Sequence, residues 1–141
     1  VSDSAPNVET GVSGPRKRAG FPRAARLLRH ADFERVYKQG KRHFATHMTV
    51  FYMRRSEGET LRVGFTVGRV LGGAVERNRI KRRMREAVRL QWPAIDLPVD
   101  AVINPKKSVL KIEFAQLGNE VGRAFEVIRK FAEAQRKSRA N

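Results

Sequence analysis

The chain has 141 residues, with 30 Lys and Arg against 14 Asp and Glu, a formal net charge of +16 and no cysteine. The missing cysteine excludes disulfide frameworks, thiolate metal sites and thiol catalysis, and no apolar run approaches the ~18 residues of a membrane span. These features predict one cytoplasmic domain whose partner is an anion rather than a membrane.

Residues 1–22 hold three prolines (Pro6, Pro15, Pro22) and almost no large apolar residue before Phe21, too little to offset chain entropy by burial. A disordered extension with a basic end, Arg16-Lys17-Arg18, is expected there, followed by a domain over 23–135 and a frayed tail over 136–141. The first helix is predicted over 31–39, with Phe33, Val36 and Tyr37 on one face and Gly40 as the stop. A short strand near 42–45, a strand over 48–54 and a third over 60–67 follow, the last two joined by the turn Ser56-Glu57-Gly58-Glu59. In the third strand Leu61, Val63, Phe65 and Val67 point to a core, while Arg62, Gly64 and Thr66 form a small polar face. A helix over 74–91 ends before Trp92-Pro93. A short fourth strand around 101–103 is ended by Asn104-Pro105, and Phe114, Leu117, Val121, Phe125, Ile128 and Phe131 mark a long amphipathic helix. The fold class is α+β.

The charge is focused. Residues 16–42 carry ten cations and two acids, +8, and residues 69–89 carry eight cations and two acids, +6. On a wheel, Ile80, Met84, Ala87 and Val88 of the second helix form a core stripe. Asn78, Arg82, Arg85 and Arg89 form an opposing stripe about 60° wide, flanked by Arg79, Arg83 and Lys81. Like charges one turn apart repel by some tenths of a kcal/mol, so a polyanion is the economical reason for such a face. Guanidinium forks suit phosphate oxygens. The narrow apolar stripe lacks the aromatic residues of a membrane-surface helix, which leaves RNA or DNA.

No catalytic constellation accompanies this face. His43 and His47 have helical metal-ligand spacing but lie in an extended stretch, His30 stands apart, and Asp32, Asp96 and Asp100 make no evident carboxylate pair. A structural RNA-binding protein of ribosomal type is one reading of charge and length. A DNA-binding regulator is another, although neither a partner helix-turn nor a dimerisation heptad accompanies the basic helix.

The stretch VGRVLGGAVERNRIKRRMREAVRL, residues 67–90, closely resembles the signature of the bacterial ribonuclease P protein family, with Arg77-Asn78-Arg79 as its RNR motif. Residues 27–42, LLRHADFERVYKQGKR, are similar to the family's first helix, and LRVGFTV to its third strand. The resemblance spans about 26–131, with Arg69 where the family often has lysine, and leaves the N-terminal extension outside. It implies an α-β-β-β-α-β-α sandwich with a four-stranded sheet and a left-handed β-α-β crossover, similar to the second domain of a small-subunit ribosomal protein. It also implies a subunit that helps a catalytic RNA, with Mg²⁺ held mainly by that RNA, remove the 5′ leader of precursor tRNA. No protein partner is implied, and no catalytic or metal-binding side chain is assigned. Carried over by position, Arg77, Asn78, Arg79, Lys81, Arg82, Arg85 and Arg89 would contact ribonuclease P RNA. Phe33, Tyr37, Val50, Tyr52 and Thr66 would line a leader cleft between the first helix and the sheet, with one of Phe33 and Tyr37 in the core and the other open to RNA.

Overall fold

The computed structural model describes residues 25–26, 29–93 and 95–140, the last four by backbone alone. The expected extension over 1–22 and the end of the tail at Asn141 lie outside the described residues. The elements are α1 (His30–Gln39), β1 (Lys41–Phe44), β2 (Met48–Arg54), β3 (Leu61–Phe65), α2 (Ala74–Leu90), β4 (Val99–Pro105) and α3 (Phe114–Ala140). Single 3₁₀ turns at Arg69–Leu71 and Lys107–Leu110 precede α2 and α3. The backbone of α3 stays helical through Ala140, past the boundary expected at residue 136.

The sheet has the order β1-β2-β4-β3. β1 and β2 are antiparallel, β2 and β4 antiparallel, and β3 and β4 parallel, so the last strand in sequence is inserted into the middle and α2 makes the crossover from β3. The central position explains why β4 is longer than the three residues expected: six of its seven residues are buried, and a strand covered on both faces shows no alternation to read. Its last residue, Pro105, pairs with Met48 at the strand's end, where a missing N–H costs the ladder least.

One sheet face carries the main core. Met48, Val50, Tyr52, Leu61, Val63, Ala101 and Ile103 pack there with Ile80, Met84, Ala87 and Val88 of α2 and Leu117, Val121, Phe125 and Ile128 of α3. The start of α2 is set by Gly72, whose φ of 125° suits glycine, and by Glu76, whose Oε1 accepts the Gly73 N–H at 2.8 Å. Its far end approaches α3 over Gly122, where an added Cβ would lie 3.0 Å from Gln91 Oε1.

The opposite face is covered in part by α1. Val36 and Val102 are fully buried there, with Phe33, Tyr37, Phe51 and Met53 around them. Gly40 closes α1, its N–H donating to Val36 O at 2.8 Å. A Cβ at this position would meet Val36 O at 2.5 Å and Tyr52 O at 2.8 Å, so glycine allows the helix to end directly on β2.

Candidate RNA interface

On α2 the apolar stripe is fully buried and the opposing side points outward. Asn78, Arg79, Arg82 and Arg85 are exposed, and Arg77 and Lys81 are half-buried. Among the described residues no carboxylate pairs with Arg79, Arg82 or Arg85, so their forks are available to a ligand. The other predicted cations are more committed. Arg77 Nε donates to Gly73 O at 3.4 Å, and Arg89 is held by Glu86 one turn back. The Arg89 guanidinium holds the Glu86 carboxyl below its ordinary value through hydrogen bonding. Arg83 turns inward instead, donating to Ile112 O at 2.6 Å and lying 5.6 Å from the Phe114 ring centre, which ties α2 to the start of α3.

On the α1 face the Tyr37 hydroxyl donates to Asn104 Oδ1 at 2.8 Å. Its single proton is thereby used, so Thr66 Oγ1, 2.5 Å away, donates to Tyr37 Oη. Tyr37 also meets Phe51 edge to face at 4.9 Å, and the Arg42 guanidinium sits 5.3 Å from the Phe51 ring centre. Phe33 and Tyr37 are both half-buried, and the deeply buried residue between them is Val36. The expected division into one core ring and one free ring does not occur.

Phe33 and Tyr37 pack on Val36 and Val102, and Tyr37 meets Thr66, but Val50 and Tyr52 do not join them. Val50 is 1% exposed and Tyr52 6% exposed, both on the far face of the sheet. Tyr52 packs edge to face on Phe131 of α3 at 5.0 Å, and burial pushes its phenol up. The β2 residues on the α1 side are Thr49, Phe51 and Met53, one position out of phase with the expectation. A one-residue slip moves every side chain of a strand to the other face. Both faces of β2 are apolar enough that alternation alone does not reveal which one meets α1.

A buried charge cluster at the other flank of α1 has no counterpart in the expectations from sequence. Asp100 on β4 is fully buried and accepts hydrogen bonds from Arg35 Nη2 (2.6 Å), Arg55 Nη1 (2.7 Å), Arg62 Nε (2.8 Å) and Arg62 Nη2 (2.9 Å). Asp32 pairs with Arg35 at 3.0 Å. Asp32, Arg35, Arg55 and Arg62 form part of the lining of an open cleft of about 650 Å³ that also includes Arg29 and Arg54. The signal in the sequence is a charged residue inside an otherwise apolar strand, which in a buried position requires partners.

His43 and His47 do not form a metal pair. His43 lies on β1, while His47 Nδ1 meets Ser108 Oγ at 2.7 Å and its backbone N–H donates to Glu120 Oε1 at 3.0 Å. Among the described residues no group of three or more His, Cys, Asp or Glu is arranged to hold a metal ion, and no helix is long and apolar enough to cross a membrane.

The sequence model described as Ribonuclease P matches residues 21–129. The chain belongs to the ribonuclease P protein family. The ribonuclease P protein component of Symbiobacterium thermophilum is 39% identical over 104 residues, covering 74% of this chain and 90% of the relative. That of Chloroflexus aurantiacus is 40% identical over 100 residues, 70% of this chain and 73% of the relative. The solved Staphylococcus aureus RNase P protein, in a mutant with defective mRNA degradation activity, superposes with a TM-score of 0.66 at 28% identity, covering 75% of this chain and 89% of its own. The Thermotoga maritima RNase P protein gives a TM-score of 0.62 at 25% identity over 74% and 96%. These likenesses support the ribonuclease P protein over a ribosomal-type structural protein, and they carry the expected α-β-β-β-α-β-α order.

Proposed function

We propose that this chain binds ribonuclease P RNA through the outward face of α2 and the 5′ leader of precursor tRNA through the groove between α1 and the sheet, and so assists endonucleolytic removal of the leader. The observation that carries the reading is the pairing state of α2. Arg79, Arg82 and Arg85 are displayed by a helix whose other side is locked in the core, with no carboxylate among the described residues to neutralise them. Phosphates supply that charge, and release of their counterions drives the association.

The groove has different chemistry. Half-buried rings of Phe33, Tyr37 and Phe51 offer stacking surfaces that accept any base, and the hydroxyls of Tyr37 and Thr66 with the amide of Asn104 offer hydrogen bonds to sugar or base edges. Such a surface suits a single strand of variable sequence. In this proposal the phosphodiester chemistry belongs to the RNA subunit. The Mg²⁺ implied by the resemblance is placed mainly on the RNA, and Asp32 and Asp100 are engaged by arginines.

Reconstitution with ribonuclease P RNA tests the whole reading. At low Mg²⁺ the protein is expected to restore cleavage of precursor tRNA and to bind precursor more tightly than mature tRNA. Equal affinity for unrelated RNA with no stimulation of cleavage would refute it.

A further inference from the structure

The strand register builds a transverse row across the α1 face that reaches beyond the groove described above. Phe44 on β1 stands opposite Thr49 on β2, and Thr49 stands opposite Asn104 on β4. Thr66 extends the β3–β4 register next to Asn104, its N–H donating to Ile103 O at 3.0 Å. The row Thr66, Asn104, Thr49, Phe44 therefore takes one residue from each successive strand or its extension, and at the usual strand spacing is about 14 Å long. Its inner end is closed by the Tyr37 hydroxyl. Its outer end is the Phe44 ring, 71% exposed on the edge strand.

Phe44 contributes to neither hydrophobic cluster, so core packing does not account for an aromatic residue there. Its surroundings favour an anionic strand. Arg42 shares the face of Phe44 on β1, Lys106 is exposed with its Nζ donating to Thr46 O at 3.3 Å, and residues 35–56 contain no Asp or Glu. A bare ring at the end of a polar row, bordered by cations, has the composition of a single-strand stacking platform. Thr66 precedes α2 by eight residues of chain, and on the path proposed here a strand that enters the row at the Thr66 end passes Tyr37 first and Phe44 last.

We propose that Phe44 is a leader-binding residue that stacks on a base further 5′ than the one beside Tyr37, extending the recognised length of the leader across the sheet to its edge. This rests on the leader-groove reading given under Proposed function, and the test separates the two. The holoenzyme is reconstituted with wild-type, Phe44→Ala, Phe44→Trp or Tyr37→Ala protein, and its affinity is measured for precursors whose leaders are lengthened one nucleotide at a time, with mature tRNA as the reference.

For wild type, affinity is expected to rise with leader length until the strand reaches Phe44. Phe44→Ala should lose the last increment, roughly tenfold for one stacked base, and match wild type on short leaders and on mature tRNA. Phe44→Trp should retain the increment. A loss that is equal at every leader length, no loss at all, or identical behaviour of the Ala and Trp variants would overturn the role of Phe44. A Tyr37→Ala protein that loses precursor and mature tRNA binding equally, or loses neither, would overturn the groove instead, and with it the extension.

Discussion

Arg62 of β3 grips Asp100 of the neighbouring β4 through two parallel hydrogen bonds, 2.8 Å from Nε and 2.9 Å from Nη2. The two residues stand opposite one another in the parallel register, so this fork fixes the pairing on which the crossover through α2 depends. Burial alone would raise the Asp100 carboxyl above its ordinary value of 3.8, but hydrogen bonds from Arg62 and Arg55 and their charge hold it below. A carboxyl with a lowered folded value contributes stability at higher pH and loses it as pH falls through that value. Urea unfolding followed over a pH series should therefore show wild-type stability declining below about pH 4. Asp100→Asn should be less stable by about 1.5–3 kcal/mol at neutral pH, because Arg35, Arg55 and Arg62 lose a charged acceptor while Asp32 remains beside Arg35 and Arg62, and its remaining stability should depend less on acid. Equal acid dependence in the two proteins would deny the carboxylate this role.

The outward face of α2 makes a salt-dependent prediction. Replacing Arg82 and Arg85 with Ala should weaken binding to ribonuclease P RNA and flatten the slope of log K against log salt by about 0.7–0.9 for each phosphate that is no longer neutralised. Neither side chain is part of the core, so the melting temperature should not change. An unaltered slope would mean that these guanidiniums do not meet phosphate. Arg83→Ala, which removes the tie to Ile112, should act in the opposite manner, lowering stability by about 1–3 kcal/mol with little effect on the slope.

The phase of β2 can be checked by comparing adjacent residues. Phe51→Ala removes a ring from the groove beside Tyr37 and should weaken precursor binding more than mature tRNA binding. Tyr52→Ala leaves a cavity under α3 where Phe131 packs and should cost about 3–5 kcal/mol of stability, while the folded protein's preference for precursor persists. The reverse pattern would restore the phase expected from sequence.

That comparison also shows where sequence reasoning stops. The basic helix is legible because its two stripes differ completely in chemistry, and Ile80, Met84, Ala87 and Val88 are buried as the wheel requires. In β2, Thr49, Phe51 and Met53 differ little in apolar character from Met48, Val50 and Tyr52, so periodicity establishes a strand without indicating its orientation. Asp100 stands out as a charge in an apolar strand, but its arginine partners are not legible because they are 38, 45 and 65 residues away, distances over which no local pattern operates.

The proton accounting at Tyr37 yields a further test. Tyr37→Phe keeps the edge contact with Phe51 but leaves Asn104 without a donor and Thr66 without an acceptor. A loss of about 1 kcal/mol is expected from denaturant unfolding, with precursor binding reduced less than by Tyr37→Ala. If the two variants bind precursor equally poorly, the hydroxyl rather than the ring carries the interaction.

The central position of β4 gives the molecule a separation of duties. Ala101 and Ile103 serve the compartment that anchors α2 and α3, while Asp100, Val102 and Asn104 serve the α1 side, and the two sets alternate along one backbone. Substitutions that retune the α1 side therefore need not repack the compartment that displays the arginines. Each of the two surfaces can vary while the other is inherited intact.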